Sequence, residues 1–237
     1  MPSHRFTLSF DLDNTLWDVD SIIIKAEQQM RQWLAEHTPE AHAAYQPDNL
    51  QRLRERVVQD HPHAITDLSF MRIQLLFELM QECGYGVRES RHNAEQAFDV
   101  FFAGRNTIEF YPGALDTLHT LAESYRLLAL TNGNADINRA GLGDLFDGAV
   151  NSAEAGAKKP DPKIYHHFLD KFQLNKSHVV HIGDNLVDDI QGAHNVGLRS
   201  IWVNLQGHAP GPEDAQPHAE VTELNQLIVL VDELANR

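Results

Sequence analysis

Phe6-Thr7-Leu8-Ser9-Phe10 runs directly into Asp11-Leu12-Asp13-Asn14-Thr15 near the start of the chain. Apolar residues at 6, 8 and 10 have the period of a strand, and the Asp- and Asn-rich stretch ends it with turn-forming side chains. The same event recurs downstream. Leu127-Leu128-Ala129-Leu130-Thr131 is a short apolar run stopped by Asn132-Gly133-Asn134, and Val179-Val180-His181-Ile182 is stopped by Gly183-Asp184. Gly148-Ala149-Val150 reads as a weaker strand and Ser200-Ile201-Trp202-Val203 as another. Helical spacing occupies Ala114 to Ser124, Ile164 to Phe172, Asp189 to Val196 and Leu224 to Leu234. Gly207 to Pro217 reads as a surface loop. Buried strands alternating with helices predict an α/β chain with a mostly parallel, covered sheet.

One block breaks that alternation. From Trp17 to about Arg105 only helical periods occur. Their apolar faces are Ala26, Met30, Trp33 and Leu34; then Leu50, Leu53 and Val57; then Leu68, Met71, Leu75, Leu79 and Cys83; then Ala94, Ala97, Phe98, Phe101 and Phe102. It predicts a helical insertion, 17–110, between two parts of one α/β core, 1–16 and 111–237. A chain of 237 residues against roughly 150 per domain agrees with two units.

Composition narrows the function classes. Basic residues number 19 and acidic ones 34, a formal charge of −15, which argues against general affinity for nucleic acid or anionic membranes, since that needs a basic face. A single cysteine, Cys83, cannot form an intrachain disulfide. Met1 to Arg5 and the short apolar stretch after them are too short for a signal segment, and no run approaches a membrane span. The expectation is a cytoplasmic protein, a monomer or homodimer, with a small-molecule substrate.

The chemistry collects past the strand ends. In an open α/β sheet that edge is where ligands bind, and it would gather Asp11, Thr131 and Asp184, with Lys159 from a nearby loop. Asp11 is a possible nucleophile, and Asp13, two residues on, a possible acid/base beside it. Carboxylates gathered at one place repel, and a hard divalent cation relieves them; Mg²⁺ suits carboxylate, carbonyl and phosphate oxygens. Lys159 and Thr131 can grip phosphate oxygens. Together these groups describe phosphoryl transfer.

Asp11-Leu12-Asp13-Asn14-Thr15-Leu16, Thr131-Asn132-Gly133, Lys159-Pro160-Asp161-Pro162 and Gly183-Asp184-Asn185-Leu186-Val187-Asp188-Asp189 resemble, in order, the four motifs of the haloacid dehalogenase-like hydrolases. The resemblance implies a Rossmann-like parallel-sheet core, with the helical block as an inserted cap that closes over the site and sets substrate choice. It implies that Asp11 becomes an aspartyl phosphate, and that Asp13 protonates the leaving alcohol and then activates water. Thr131, Lys159 and the Asn132 backbone N–H would hold phosphate. Asp11, the Asp13 carbonyl and Asp184 would bind Mg²⁺, supported by Asp189 or Asp188, with Asp189 favoured by spacing. The family's true dehalogenases lack an acid two residues after the nucleophile, so Asp13 favours a phosphatase. In Leu50-Gln51-Arg52-Leu53-Arg54, Thr131-Asn132-Gly133-Asn134-Ala135-Asp136, Gly141-Leu142-Gly143-Asp144 and Ala155-Gly156-Ala157-Lys158-Lys159-Pro160 the chain most resembles bacterial phosphatases of FMN, which are also linked to the ribitylaminouracil phosphate of riboflavin synthesis. A nucleoside monophosphatase or another sugar-phosphate phosphatase is the alternative, followed by a phosphomutase and a non-catalytic phospholigand-binding regulator.

Other residues read more plainly. His61, His63, His166 and His167 lack structural-zinc spacing and read as surface or core. Cys83 reads as a buried inert thiol, Trp202 as strand core, Trp17 as packing where the insertion begins, and Phe98, Phe101 and Phe102 as helical core.

Overall fold

The computed structural model describes residues 6–211 and 213–235. The Met1 to Arg5 reading, Pro212 of the expected loop and the outer ends of the expected core lie outside them. Six strands form one parallel sheet: β1 Thr7–Phe10, β2 Arg126–Thr131, β3 Ala149–Asn151, β4 Val179–Gly183, β5 Arg199–Val203 and β6 Ala219–Val221, in the order β3-β2-β1-β4-β5-β6. The architecture is α/β and Rossmann-like. Every residue of β1 and β4 is buried, as expected of central strands covered on both faces.

The chain divides into two compact units. One holds the sheet and comprises the described residues up to Asp18 and from Glu109 onward. Its helices include α6 Ala114–Ala122, α7 Ser152–Ala155, α8 Pro162–Lys171, α9 Gly192–Asn195 and α10 Leu227–Ala235. The other, Val19–Ile108, is helical: α1 Val19–His37, α2 Pro39–Ala44, α3 Pro47–Asp60, α4 Leu68–Glu82 and α5 Val87–Arg105. Its core gathers Ala26, Met30, Leu34, Leu53, Leu76, Phe98 and Phe101. Phe101 also carries the Arg72 guanidinium 3.6 Å above its ring, and Arg72 pairs with Glu27 at 2.8 Å.

Three readings are corrected. On α4 the buried stripe is Met71, Leu76, Leu79 and Met80, whereas Leu68 is exposed and Leu75 and Cys83 are half-buried. Asp67 caps the helix through Phe70 N–H, which leaves Leu68 in the solvated first turn, and Cys83 lies past the last. On α6 the buried face begins at Ala114, and Leu115 is exposed. The helix expected from Asp189 begins earlier, as a π-helical turn over Leu186–Gln191. β6 has no counterpart in the sequence reading; three residues alternating once are too few for a period.

Candidate active site

Parallel strands put their carboxyl ends at one edge, and β1, β2 and β4 are neighbours there. Asp11 continues β1 by one hydrogen bond, its N–H donating to Ile182 C=O at 2.8 Å. The chain then turns through Asn14, whose φ of 60° is one that Asn tolerates better than most side chains. Leu12 and Leu16 are buried on either side of it. Asp11, Asp13, Thr131, Asn132, Lys159 and Asp184 line a single cavity of about 170 Å³, with Asp188 and Asp189. That is below the roughly 300 Å³ at which whole-ligand pockets begin, and of a size for a phosphoryl group.

The cavity is organised by one buried ammonium. Lys159 Nζ donates to Asp11 Oδ1 and to Asp189 Oδ1, both at 2.6 Å. Burial alone would drive the proton off Lys159, but the two carboxylates more than offset it and raise its pKa. Lys158, the adjacent alternative, is exposed. Burial also opposes ionisation of Asp189, yet Lys159 and His181 outweigh it and hold its carboxyl far below the usual range. Asp11 moves the other way: burial lifts it well above the ordinary carboxylate value, Lys159 resists, and the charges of Asp189 and Asp184 add to the rise. Asp184 is pushed up to about 6 by burial and by Asp189, against its hydrogen bond from Thr15.

Carboxylate oxygens of Asp11, Asp184 and Asp189 lie within 4.8 Å of one another. Three acids share one ammonium, which Asp11 and Asp189 hold at the same distance, and Asp189 is the one it keeps ionised. Asp11 and Asp184 are therefore left short of positive charge, and their oxygens are the ligands a hard cation takes. Asp13 is not in this triad. Its Oδ1 accepts from the Trp17 indole N–H at 2.8 Å.

Several contacts hold the site that sequence reading did not supply. Thr15 donates to Asp184 Oδ1 at 3.0 Å and approaches Asp11 Oδ2 at 3.4 Å, tying the first and last motifs together. Trp17 is fully buried, edge-on to Phe110. Trp202 gives its indole N–H to the Asp184 carbonyl at 2.8 Å. Asn132 uses its side chain as a clamp on the lysine loop: Lys159 N–H donates to its Oδ1 at 2.7 Å, and its amide nitrogen donates to Lys159 C=O at 3.0 Å and to Asp188 at 3.1 Å. Thr131 Oγ1 accepts from Gly133 N–H at 3.0 Å. Asp189 Oδ2 accepts from Asn185 N–H at 3.0 Å, and its carboxylate lies so close under Gly183 that a Cβ there would fall 2.2 Å from Asp189 Cγ. Only glycine fits at 183. Thr15 with Asp184, Trp202 with Asp184 and Asn132 with Lys159 join segments distant in sequence, and tryptophan or threonine beside a motif carries no periodic signal.

The family model for haloacid dehalogenase-like hydrolases matches residues 7–197. The 5-amino-6-(5-phospho-D-ribitylamino)uracil phosphatase YigB of Escherichia coli is 30% identical over 227 residues, covering 94% of this chain and 95% of YigB. The N-acylneuraminate-9-phosphatase of Rattus norvegicus is 29% identical over 236 residues, covering 95% and 93%. A crystal structure of a 2-haloacid dehalogenase from Pseudomonas syringae pv. Tomato DC3000 superposes with a TM-score of 0.91 at 36% identity, covering 96% of this chain and 98% of that one.

Proposed function

This chain belongs to the haloacid dehalogenase-like hydrolases and is a phosphatase for small phosphorylated metabolites, and on that premise we propose that it acts with Mg²⁺ through an aspartyl phosphate on Asp11, with FMN or a riboflavin-pathway phosphate as the favoured substrate. The observation that carries the mechanism is the Lys159 ammonium 2.6 Å from Asp11 in a cavity of phosphoryl size.

The roles follow from the atoms available. An Asp11 carboxylate oxygen attacks phosphorus, and the bond from phosphorus to the ester oxygen breaks. Asp13 gives its proton to the departing alcohol, which would otherwise leave as a poorly stabilised alkoxide. Water then attacks the phosphorus of the acyl phosphate, Asp13 takes the proton back, and Asp11 is freed with inorganic phosphate. Lys159 and Thr131 neutralise and orient the phosphoryl oxygens. Asp11, the Asp13 carbonyl and Asp184 would hold the cation, which supplies the positive charge that Asp11 and Asp184 lack when both are ionised.

The substrate preference is supported by YigB, which is 30% identical over nearly its whole length, together with the Asn132-Gly133-Asn134-Ala135-Asp136 and Ala155-Gly156-Ala157-Lys158-Lys159 stretches. A second reading, 2-haloacid dehalogenation, has the Pseudomonas syringae structure in its favour. Asp13 opposes it, since halide departs without a proton donor. The deciding experiment measures phosphate release from FMN, ribitylaminouracil phosphate, nucleoside monophosphates and sugar phosphates with Mg²⁺, and halide release from 2-chloropropionate. Phosphate release that is lost in Asp11→Ala and on chelation is expected. Halide release without phosphatase activity would reject the proposal, and a clear sugar-phosphate preference would reject the flavin assignment alone.

A further inference from the structure

Behind the Lys159–Asp189 pair lies a buried polar layer that the reaction does not touch. His181, in the middle of β4, is fully buried. Its Nε2 is 3.0 Å from Asp189 Oδ1 and its Nδ1 is 3.0 Å from Ser9 Oγ. Ser9 is its partner in the parallel register of β1 and β4, and is fully buried too. The Tyr165 ring stands edge-on to the imidazole at 5.5 Å, and its hydroxyl donates to Asp188 C=O at 2.6 Å. A strand interior of this kind is ordinarily apolar, and polar groups are tolerated there only when hydrogen-bonded.

The hydrogen bonds fix where the ring proton is. Burial depresses the imidazole pKa, with Asp189 pulling upward and Lys159 downward, so the ring is neutral and carries one N–H. Ionised Asp189 can only accept, which puts that proton on Nε2. Nδ1 is then a lone pair that takes the Ser9 hydroxyl proton. Asp189 Oδ1 is shared between His181 and Lys159. Rotation of this carboxylate would carry Oδ1 away from the ammonium, and on that side the imidazole resists it.

We propose that Ser9 and His181 are positioning residues for phosphoryl transfer: Asp189 sets the Nε2–H tautomer, the serine hydroxyl holds the ring through Nδ1, the imidazole fixes the Asp189 carboxylate, and that carboxylate keeps Lys159 aimed at Asp11. The kinetic consequence rests on the phosphatase reading; the tautomer does not. An outer hydrogen-bond partner of this kind is worth about 10–100-fold in activity.

The test uses His181→Leu, His181→Gln and Ser9→Ala. Leucine fills the space without donating. Its kcat per folded molecule on p-nitrophenyl phosphate is expected to fall about 10–100-fold, with KM changing less than kcat. Glutamine brings an amide N–H to a similar depth and is expected to recover most of that loss. Equal kcat in His181→Leu and wild type overturns the proposal, as does a Gln variant as impaired as the Leu variant. Long-range ¹H–¹⁵N spectra of imidazole-labelled protein read the tautomer without any substrate. Nε2–H is expected in wild type and in Ser9→Ala, because Asp189 accepts in both, with the Nδ1 resonance shifting when the serine donor is lost; an Nδ1–H ring or an imidazolium in wild type overturns the proposal even if the His181 variants do not fold. A wild type that hydrolyses no phosphomonoester would reject the proposed function and leave the tautomer test standing.

Discussion

Asp184→Asn should make the metal-free protein more stable while destroying its activity. A carboxyl raised from an ordinary 3.8 to about 6 resists ionisation in the folded protein by about 3 kcal/mol. The folded state holds this proton more tightly than the unfolded chain does. Its stabilising contribution is therefore complete below about 3.8, falls as pH rises through about 6, and is gone near neutrality. Asparagine removes the charge and keeps an oxygen to accept from Thr15, whose hydroxyl is 3.0 Å away. In EDTA at about pH 7.5, urea unfolding should show the variant more stable than wild type by up to about 3 kcal/mol. The gap should narrow to about 1 kcal/mol near pH 4.5 and close below about 3.8. Buried Trp17 and Trp202 give a fluorescence readout. Adding Mg²⁺ should stabilise wild type by about 2.7 kcal/mol at a hundredfold excess over its dissociation constant, and the variant far less. A variant less stable than wild type in EDTA at pH 7.5, or a gap that does not change with pH, would refute the argument that Asp184 is held in a site short of positive charge.

Three further outcomes are expected. Lys159→Met leaves Asp11 and Asp189 buried without their cation, and breaking such a pair costs about 3–5 kcal/mol; urea melts at pH 7.5 should show the loss, with part recovered on acidification as the raised Asp11 takes a proton, and phosphate release should fall below detection. Asp13→Asn should depress the first, alcohol-releasing turnover of alkyl phosphates far more than that of p-nitrophenyl phosphate, whose leaving group needs no proton, while the second step, in which Asp13 takes the water proton, suffers alike for both; equal losses in single-turnover alcohol release would remove Asp13 as the acid. Trp17→Phe deletes the indole donor 2.8 Å from Asp13. One hydrogen bond of about 1 kcal/mol predicts a fall of about fivefold in kcat on alkyl phosphates, read per folded molecule because the gap left by a fully buried indole lowers the melting temperature.

The parts legible in the sequence are those with a short-range physical signature. Four apolar runs ended by polar turns placed β1, β2, β4 and β5 near their observed bounds, because buried parallel strands are continuous apolar segments. The same turns put Asp11, Thr131 and Asp184 at one edge, since parallel strands share a direction. Favouring Asp189 over Asp188 followed motif spacing, and the structure buries Asp189 against Lys159. What stayed hidden is contact between strands rather than along them. His181 looked like one polar letter in an apolar run, because its partners are Ser9, 172 residues away, and Asp189, on the following turn. The Asn132 side chain reads as a turn former, yet it closes three hydrogen bonds onto segments 27 and 56 residues distant. Periodicity reports which face of an element is buried, and a lone polar residue on that face then raises one question, namely what satisfies it. Put to Ser9, His181 and Thr15, three fully buried polar residues of the central strands and the turn after β1, that question leads each time to a carboxylate of the cavity or to the residue holding one. A buried polar side chain inside a strand that ends in the site is thus a better pointer to supporting residues than proximity in sequence, and it would have singled out His181 from the fourteen histidines before any coordinates were known.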